Sequence, residues 1–138
     1  VMITAGGKNL TPSVIENQVK TSAYIKECIV VADQRKFVAA LIQIDPDTVA
    51  TWAESHDIAY TTFRSLSENP QVRDLVTQEV GRANAELAPA EQVRRFHLLT
   101  KELDHDDGEV TATMKVRRQK ISESYAQEIE RLYAPEAA

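Results

Sequence analysis

Lys115 is the residue whose neighbours best suit it to act as a reagent rather than as a surface charge. It follows Thr111, Thr113 and Met114, a small and partly apolar lead-in, and it stands where the local charge reverses sign. Five acids occupy the eight positions 102 to 109 (Glu102, Asp104, Asp106, Asp107, Glu109), and four bases occupy the six positions 115 to 120 (Lys115, Arg117, Arg118, Lys120). A lysine on such a loop can reach into a neighbouring cleft. Arg117, Arg118 and Lys120 fall near the start of an expected helix, where the macrodipole favours anions and each cation costs a few tenths of a kcal/mol. They read as structural or interface charges, and a solvated basic face opposite the acidic stretch is the ordinary account of such a run.

A second constellation lies near the other end, in Gly6, Gly7, Lys8 and Asn9. Two glycines ahead of a helix start could turn backbone N–H groups toward a phosphate, but the segment is neither a phosphate-binding G-x-x-x-x-G-K-[ST] loop nor a G-x-G-x-x-G fingerprint. A tight turn is the simpler reading. The histidines, His56, His97 and His105, lack the spacing to Cys, Asp, Glu or one another that a zinc site requires, so no metal site is expected. The single Cys28 sits beside Ile29, Val30 and Val31 and reads as a core thiol, not a nucleophile.

These residues need a scaffold, and the apolar pattern supplies one. Val1 to Thr4 predicts a short strand leading into the glycines, and Thr11-Pro12 predicts a helix cap followed by a helix over about 12 to 20. Cys28 to Ala32 and Phe37 to Ile44 are nearly continuous apolar runs separated by Asp33-Gln34-Arg35-Lys36, the pattern of a hairpin inside a covered sheet. Asp45-Pro46 opens a helix to about residue 56, Thr61 to Leu66 a possible helical turn, and Asn69-Pro70 a longer helix with Val72, Leu75, Val76, Val80, Ala83 and Leu87 in register. Gln92 to Leu99 reads as a third strand, and Glu109-Val110-Thr111 as a brief extended piece. Ile121, Tyr125, Ile129 and Leu132 form the stripe of one last helix. The fold expected is α+β: a small sheet of about three central strands plus a short N-terminal strand or hairpin, covered by helices.

With 138 residues, 43% of them apolar and 27% charged, the chain is the size of one ordinary domain. Its net charge of −5 argues against nucleic acid or an anionic membrane as a partner of the whole surface. One cysteine excludes a disulfide framework and implies a reducing compartment; no run is long enough to span a membrane and no signal peptide is present, so a cytoplasmic location is expected. The start at Val1, so close to the glycine pair, reads as a piece cut from a longer chain.

The segments "ITAGGKNLTPSVIENQV" and "GEVTATMKVRRQKI", in this order and separated by a hairpin and helices, resemble the C-terminal domain of AMP-forming acyl-CoA synthetases, especially long-chain fatty-acid ligases. The resemblance covers residues 1–138 as a single lid domain. It implies a larger enzyme that activates a fatty acid with ATP and Mg²⁺ to an acyl-adenylate and passes the acyl group to CoA. The nucleotide- and acyl-binding N-terminal domain and the hinge would lie outside this chain, which alone should be inactive; the parent could associate peripherally with a membrane. By the same resemblance Lys115 matches the adenylation lysine, and Gly6, Gly7, Lys8 and Asn9 match a loop that lines the CoA path. Met114 departs from the wider superfamily, in which glycine usually precedes the lysine. A fatty-acyl-AMP ligase, a carrier-protein-loading enzyme and a non-enzymatic acidic interaction module are the alternatives.

Overall fold

Strand β4 (Val38–Ile44) buries all seven of its residues. Six of the seven are apolar and the one polar residue, Gln43, is buried as well, so both faces are covered. The computed structural model, which describes residues 1–135, is an α+β layer structure built around this strand. β4 lies between β3 (Ile25–Val31), which runs antiparallel to it, and β5 (Val93–Leu98), which runs parallel. A parallel neighbour demands a crossover. Helices α2 (Pro46–Ser55), α3 (Phe63–Ser67) and α4 (Pro70–Asn84) provide it, followed by a 3-10 turn at Pro89–Glu91.

The period-two alternation of a strand then divides the interior. Val38, Ala40, Ile42 and Ile44 enter the larger core, with α1 (Pro12–Val19), α2 and α4. Leu41 points the other way, into a second core of Ile29, Leu99, Leu103, Val110, Ile121 and Ile129. Each fully buried Leu, Ile or Val contributes about 1.5–3 kcal/mol, so neither layer is dispensable. The second core carries the segment around Lys115.

The helix starts follow their caps. Asp45 accepts from the Thr48 N–H at 3.0 Å, Asn69 accepts from the Gln71 N–H at 2.8 Å, and Thr62 and Ser65 form a reciprocal capping box. Thr11 is the exception to the expected caps: it stands before Pro12 but makes no side-chain cap bond, and its carbonyl accepts from the Val14 N–H instead. Cys28 is buried, and burial pushes its thiol far above the usual range, as a core thiol requires.

Three expectations are revised. Of the expected N-terminal strand or hairpin it is the hairpin that forms, β1 (Met2–Ile3) with β2 (Asn9–Leu10), so the reading is narrowed rather than overturned. β3 begins at Ile25, earlier than its apolar run, because pairing of Ile25 with Ile44 and Glu27 with Gln43 extends the ladder past polar residues. The last helix is two: α5 (Arg118–Ser124) and α6 (Ala126–Tyr133) break at Tyr125, whose φ of −111° and ψ of 24° leave the helical region.

Arg118 is a half-buried structural tie rather than a free surface charge. It donates to Glu16 at 2.8 and 3.0 Å and to the Val30 carbonyl at 3.1 Å, while Glu16 accepts from the Val30 N–H at 2.8 Å. The pair therefore satisfies backbone groups on the outer edge of β3 and joins α1 to α5. Arg118→Ala should lower the unfolding free energy by about 2 kcal/mol, between an exposed pair and a fully buried one, in urea titrations where Arg117→Ala costs less than about 0.5. His97, half-buried on β5, has its pKa lowered by burial and by Arg131 and Arg73, with Glu128 opposing. Its folded pKa lies below the unfolded one, so stability is full above about pH 7 and falls as pH drops through the unfolded value of about 6.5. His97→Gln should flatten that part of the profile.

Candidate functional site

Lys115 stands on a tight hairpin. Val110 and Val116 form an antiparallel bridge, and the Arg117 N–H donates to the Glu109 carbonyl at 2.9 Å. At the tip the Thr111 N–H donates to the Lys115 carbonyl at 2.8 Å, and the Lys115 N–H returns a bond to Thr111 Oγ1 at 3.0 Å. The threonines of the lead-in are therefore the turn's own fasteners. Met114 holds φ at +65°, the left-handed region that glycine enters freely. The position where the resembled superfamily has glycine thus has the glycine backbone and a methionine side chain, 60% exposed. Lys115 is exposed, and among the described residues its ammonium has no hydrogen-bond or ion-pair partner.

The base of the hairpin is held by Glu109, one of the five acids and the first residue of the expected extended piece. Glu109 is 3% exposed. Its carboxylate accepts from the Lys101 ammonium, from the Asp104 N–H at 3.1 Å and from the Tyr125 hydroxyl at 2.9 Å. Burial, and then the bond to Glu109, push the Tyr125 phenol up to about 12. Partial burial alone would lower the Lys101 pKa, but its bonds to Glu109 and Asp107 outweigh that and hold it above the ordinary value. The acidic stretch is accordingly not one solvated approach to Lys115. Asp107 also lies 2.9 Å from Lys101, and Gly108 turns the chain at φ +74° to carry Glu109 inward. The signal was present in the wedging of Glu109 between a glycine and the apolar Val110.

Beside the hairpin is a cleft of about 320 Å³ lined by Met114 and Val110 together with Lys26, Glu27, Gln43, Glu102, Leu103 and Asp104. Burial raises the Glu27 pKa there, with Lys20 opposing. Gln43, buried at the end of β4, accepts from the Leu103 N–H at 2.8 Å and so closes the cleft floor.

The glycine turn is elsewhere. The Gly7 N–H donates to the Thr4 carbonyl at 2.9 Å and the Lys8 N–H to Thr4 Oγ1 at 3.1 Å, so these amides are consumed by the β1–β2 turn and do not form a phosphate cradle. Gly7 takes φ +84° with open space around its Cα, Lys8 is exposed, and Asn9 lies in β2. The turn docks on the β3–β4 connection through Ala5 N–H to the Arg35 carbonyl and Gln34 N–H to the Ile3 carbonyl, at 2.8 and 2.7 Å. Lys115 is by the Lys26 and Gln43 end of the β3–β4 pair and the glycines are by its Gln34 and Arg35 end. A seven-residue strand separates those ends by about 20 Å, so the structure does not bring the two candidate groups together. Among the described residues no three His, Cys, Asp or Glu side chains converge as metal ligands, and no helix is long and apolar enough to cross a membrane.

Fold and site together define a small α+β domain that offers one unpaired lysine on a fastened hairpin and a glycine turn at the opposite end. The chain belongs to the AMP-binding enzyme C-terminal domain family, whose profile matches residues 1–137. It is 35% identical over 137 residues to the long-chain-fatty-acid-CoA ligase FadD15 of Mycobacterium tuberculosis, covering 99% of this chain and 23% of that protein. It is 28% identical over 138 residues to the peroxisomal long chain acyl-CoA synthetase 7 of Arabidopsis thaliana, covering 97% of this chain and 20% of that one. The chain thus spans about a quarter or less of the length of these curated relatives. Among solved structures, the adenylation domain of a carboxylate reductase from Mycobacterium chelonae superposes with a TM-score of 0.74 at 23% identity, over 98% of this chain and 19% of that one. The A-PCP didomain of carboxylic acid reductase from Segniliparus rugosus, solved in complex with AMP, gives 0.72 at 19% identity, over 96% of this chain and 17% of that one. These two likenesses establish the fold.

Met114 offers a direct check on the hairpin. Met114→Gly should be neutral within about 0.5 kcal/mol, because relief at positive φ is offset by the entropy glycine loses on folding. Met114→Val should cost more than about 1 kcal/mol, because a β-branched residue resists that backbone. Urea titration of both variants measures the difference.

Proposed function

We propose that this chain is the mobile C-terminal lid of a long-chain fatty-acid-CoA ligase and that Lys115 is its adenylation lysine. The observation that carries the reading is the Lys115 hairpin: an unpaired, exposed ammonium at the tip of a turn that its own threonines rigidify. The similarity to long-chain-fatty-acid-CoA ligases over nearly the whole chain supports the substrate class.

In the first half-reaction a fatty-acid carboxylate oxygen attacks the α-phosphorus of ATP. The new O–P bond forms as the α–β phosphoanhydride bond breaks, giving acyl-adenylate and pyrophosphate. Lys115, reaching from the lid into the site of the N-terminal domain, orients the carboxylate and offsets charge gathering on the α-phosphate oxygens. In the second, the CoA sulfur attacks the acyl carbon, its proton is lost, and the acyl–phosphate C–O bond breaks to release AMP. The Gly6, Gly7, Lys8 and Asn9 turn lines the path of the CoA arm, where a bare glycine backbone lets a narrow chain pass close and Lys8 presents a cation. One ligand site cannot meet both ends of the β3–β4 pair in the same pose. Rotation of the lid between steps follows from that separation. Mg²⁺, when bound, would neutralise phosphate charge; among the described residues no ligand cluster would hold it, and no step here passes through it. The partner is then the N-terminal domain, which supplies the ATP and acyl pockets, and this domain alone makes no acyl-CoA.

In the full-length protein, Lys115→Ala should slow adenylate formation from acid and ATP by about 100-fold or more, while the reaction of preformed acyl-adenylate with CoA stays within about threefold. Gly7→Val should reverse the pattern. Pyrophosphate release and thioester formation, assayed separately, read the two steps; equal loss of both in Lys115→Ala would remove the assignment.

A further inference from the structure

The buried carboxylate of Glu109 joins the loop before the Lys115 hairpin to the α5–α6 break. Its Oε1 accepts from Lys101 and from the Asp104 N–H, its Oε2 from Tyr125, and its own carbonyl from the Arg117 N–H across the hairpin. The residue after it, Val110, makes the bridge to Val116 five positions short of the second core's Ile121. Tyr125 is at the break between α5 and α6, so its hydroxyl connects that break to the base of the hairpin.

A group placed only for stability would not need this arrangement. A buried ion pair is weak evidence for stability, because replacing both partners with well-packed apolar residues is often neutral or stabilising. What the carboxylate adds is direction. Three donors arriving from the loop (Lys101 and Asp104) and from the helix break (Tyr125) fix the rotation of the hairpin base, and a hairpin whose base cannot rotate holds its tip in one place. The tip is where Lys115 stands, six positions on. Misplacement of a charge by about 1 Å can cost two orders of magnitude in rate.

Resting on the assignment of Lys115, we infer that Glu109, with the Tyr125 hydroxyl, is the positioning residue of this domain. It aims the Lys115 ammonium during adenylation and takes no part in thioester formation, which would use the other end of the sheet. The same bonds predict that the helix break is part of the aiming device and not merely a kink.

The test uses the full-length protein with Glu109→Gln and with Tyr125→Phe, which keeps the ring and removes only the hydroxyl. Both should lower kcat for adenylate formation, by about 10- to 100-fold for Glu109→Gln and about 3- to 10-fold for Tyr125→Phe, with KM for ATP and the thioester step within about threefold. Val76→Ala, in the other core and chosen as a destabilised control, should lower Tm without this split. In parallel, hydrogen exchange of the 109–117 segment should quicken at the Thr111, Met114 and Arg117 amides in both variants while β4 stays protected. Equal loss of both half-reactions, or a loss tracking Tm as in Val76→Ala, would overturn the positioning role, as would unchanged exchange in the hairpin. If Lys115→Ala adenylates normally, the assignment of Lys115 falls instead, and the exchange result still decides whether Glu109 holds the hairpin.

Discussion

The burial of β4 on both faces is the constraint from which the other features follow. A strand with no polar face cannot lie at a surface, so one layer of helices covers it on the α1, α2 and α4 side and a second layer, of loop, hairpin and α5–α6, covers it on the other. The second layer is the thinner one. It is made of short pieces that cannot be stable separately, and each is held by the sheet and by a few polar ties.

Two of those ties are buried carboxylates. Glu16 binds Arg118 and completes the edge of β3, and Glu109 binds Lys101 and Tyr125 beneath the hairpin. A carboxylate inside a protein is tolerable only when its oxygens are satisfied, and here each collects donors from separate segments. At the other end of the sheet, Tyr133 donates to the Val31 and Phe37 carbonyls at 2.5 and 2.8 Å, and Arg35 pairs with Glu130. The second layer is thus pinned at both ends of the β3–β4 pair, near the two candidate turns.

That division places a lysine hairpin beside a cleft at one end of the β3–β4 pair and a glycine turn at the other. Under the proposed function the two turns serve different steps, and a rotation of the whole domain exchanges one for the other.

Much of the architecture was legible in the residues. The nearly continuous apolar run at Phe37 to Ile44 required a covered strand, Asp45-Pro46 and Asn69-Pro70 marked two helix starts, and the threonines before Lys115 marked a loop, because these are local consequences of backbone chemistry. Local chemistry could not show that Arg118 and Glu109 point inward, since a charged residue in a charged run looks solvated until its partner, 102 positions away at Glu16 or 16 away at Tyr125, is brought beside it. Nor could it break the last helix at Tyr125: the stripe Ile121, Tyr125, Ile129 is periodic, and only the bond from Tyr125 to Glu109 gives that residue a reason to leave the helical region. The sequence by itself determined most of the elements, their order and the two candidate turns. Tertiary structure alone decided which charges are interior ties and that the two turns stand at opposite ends of the sheet, because both depend on contacts between residues far apart in the chain.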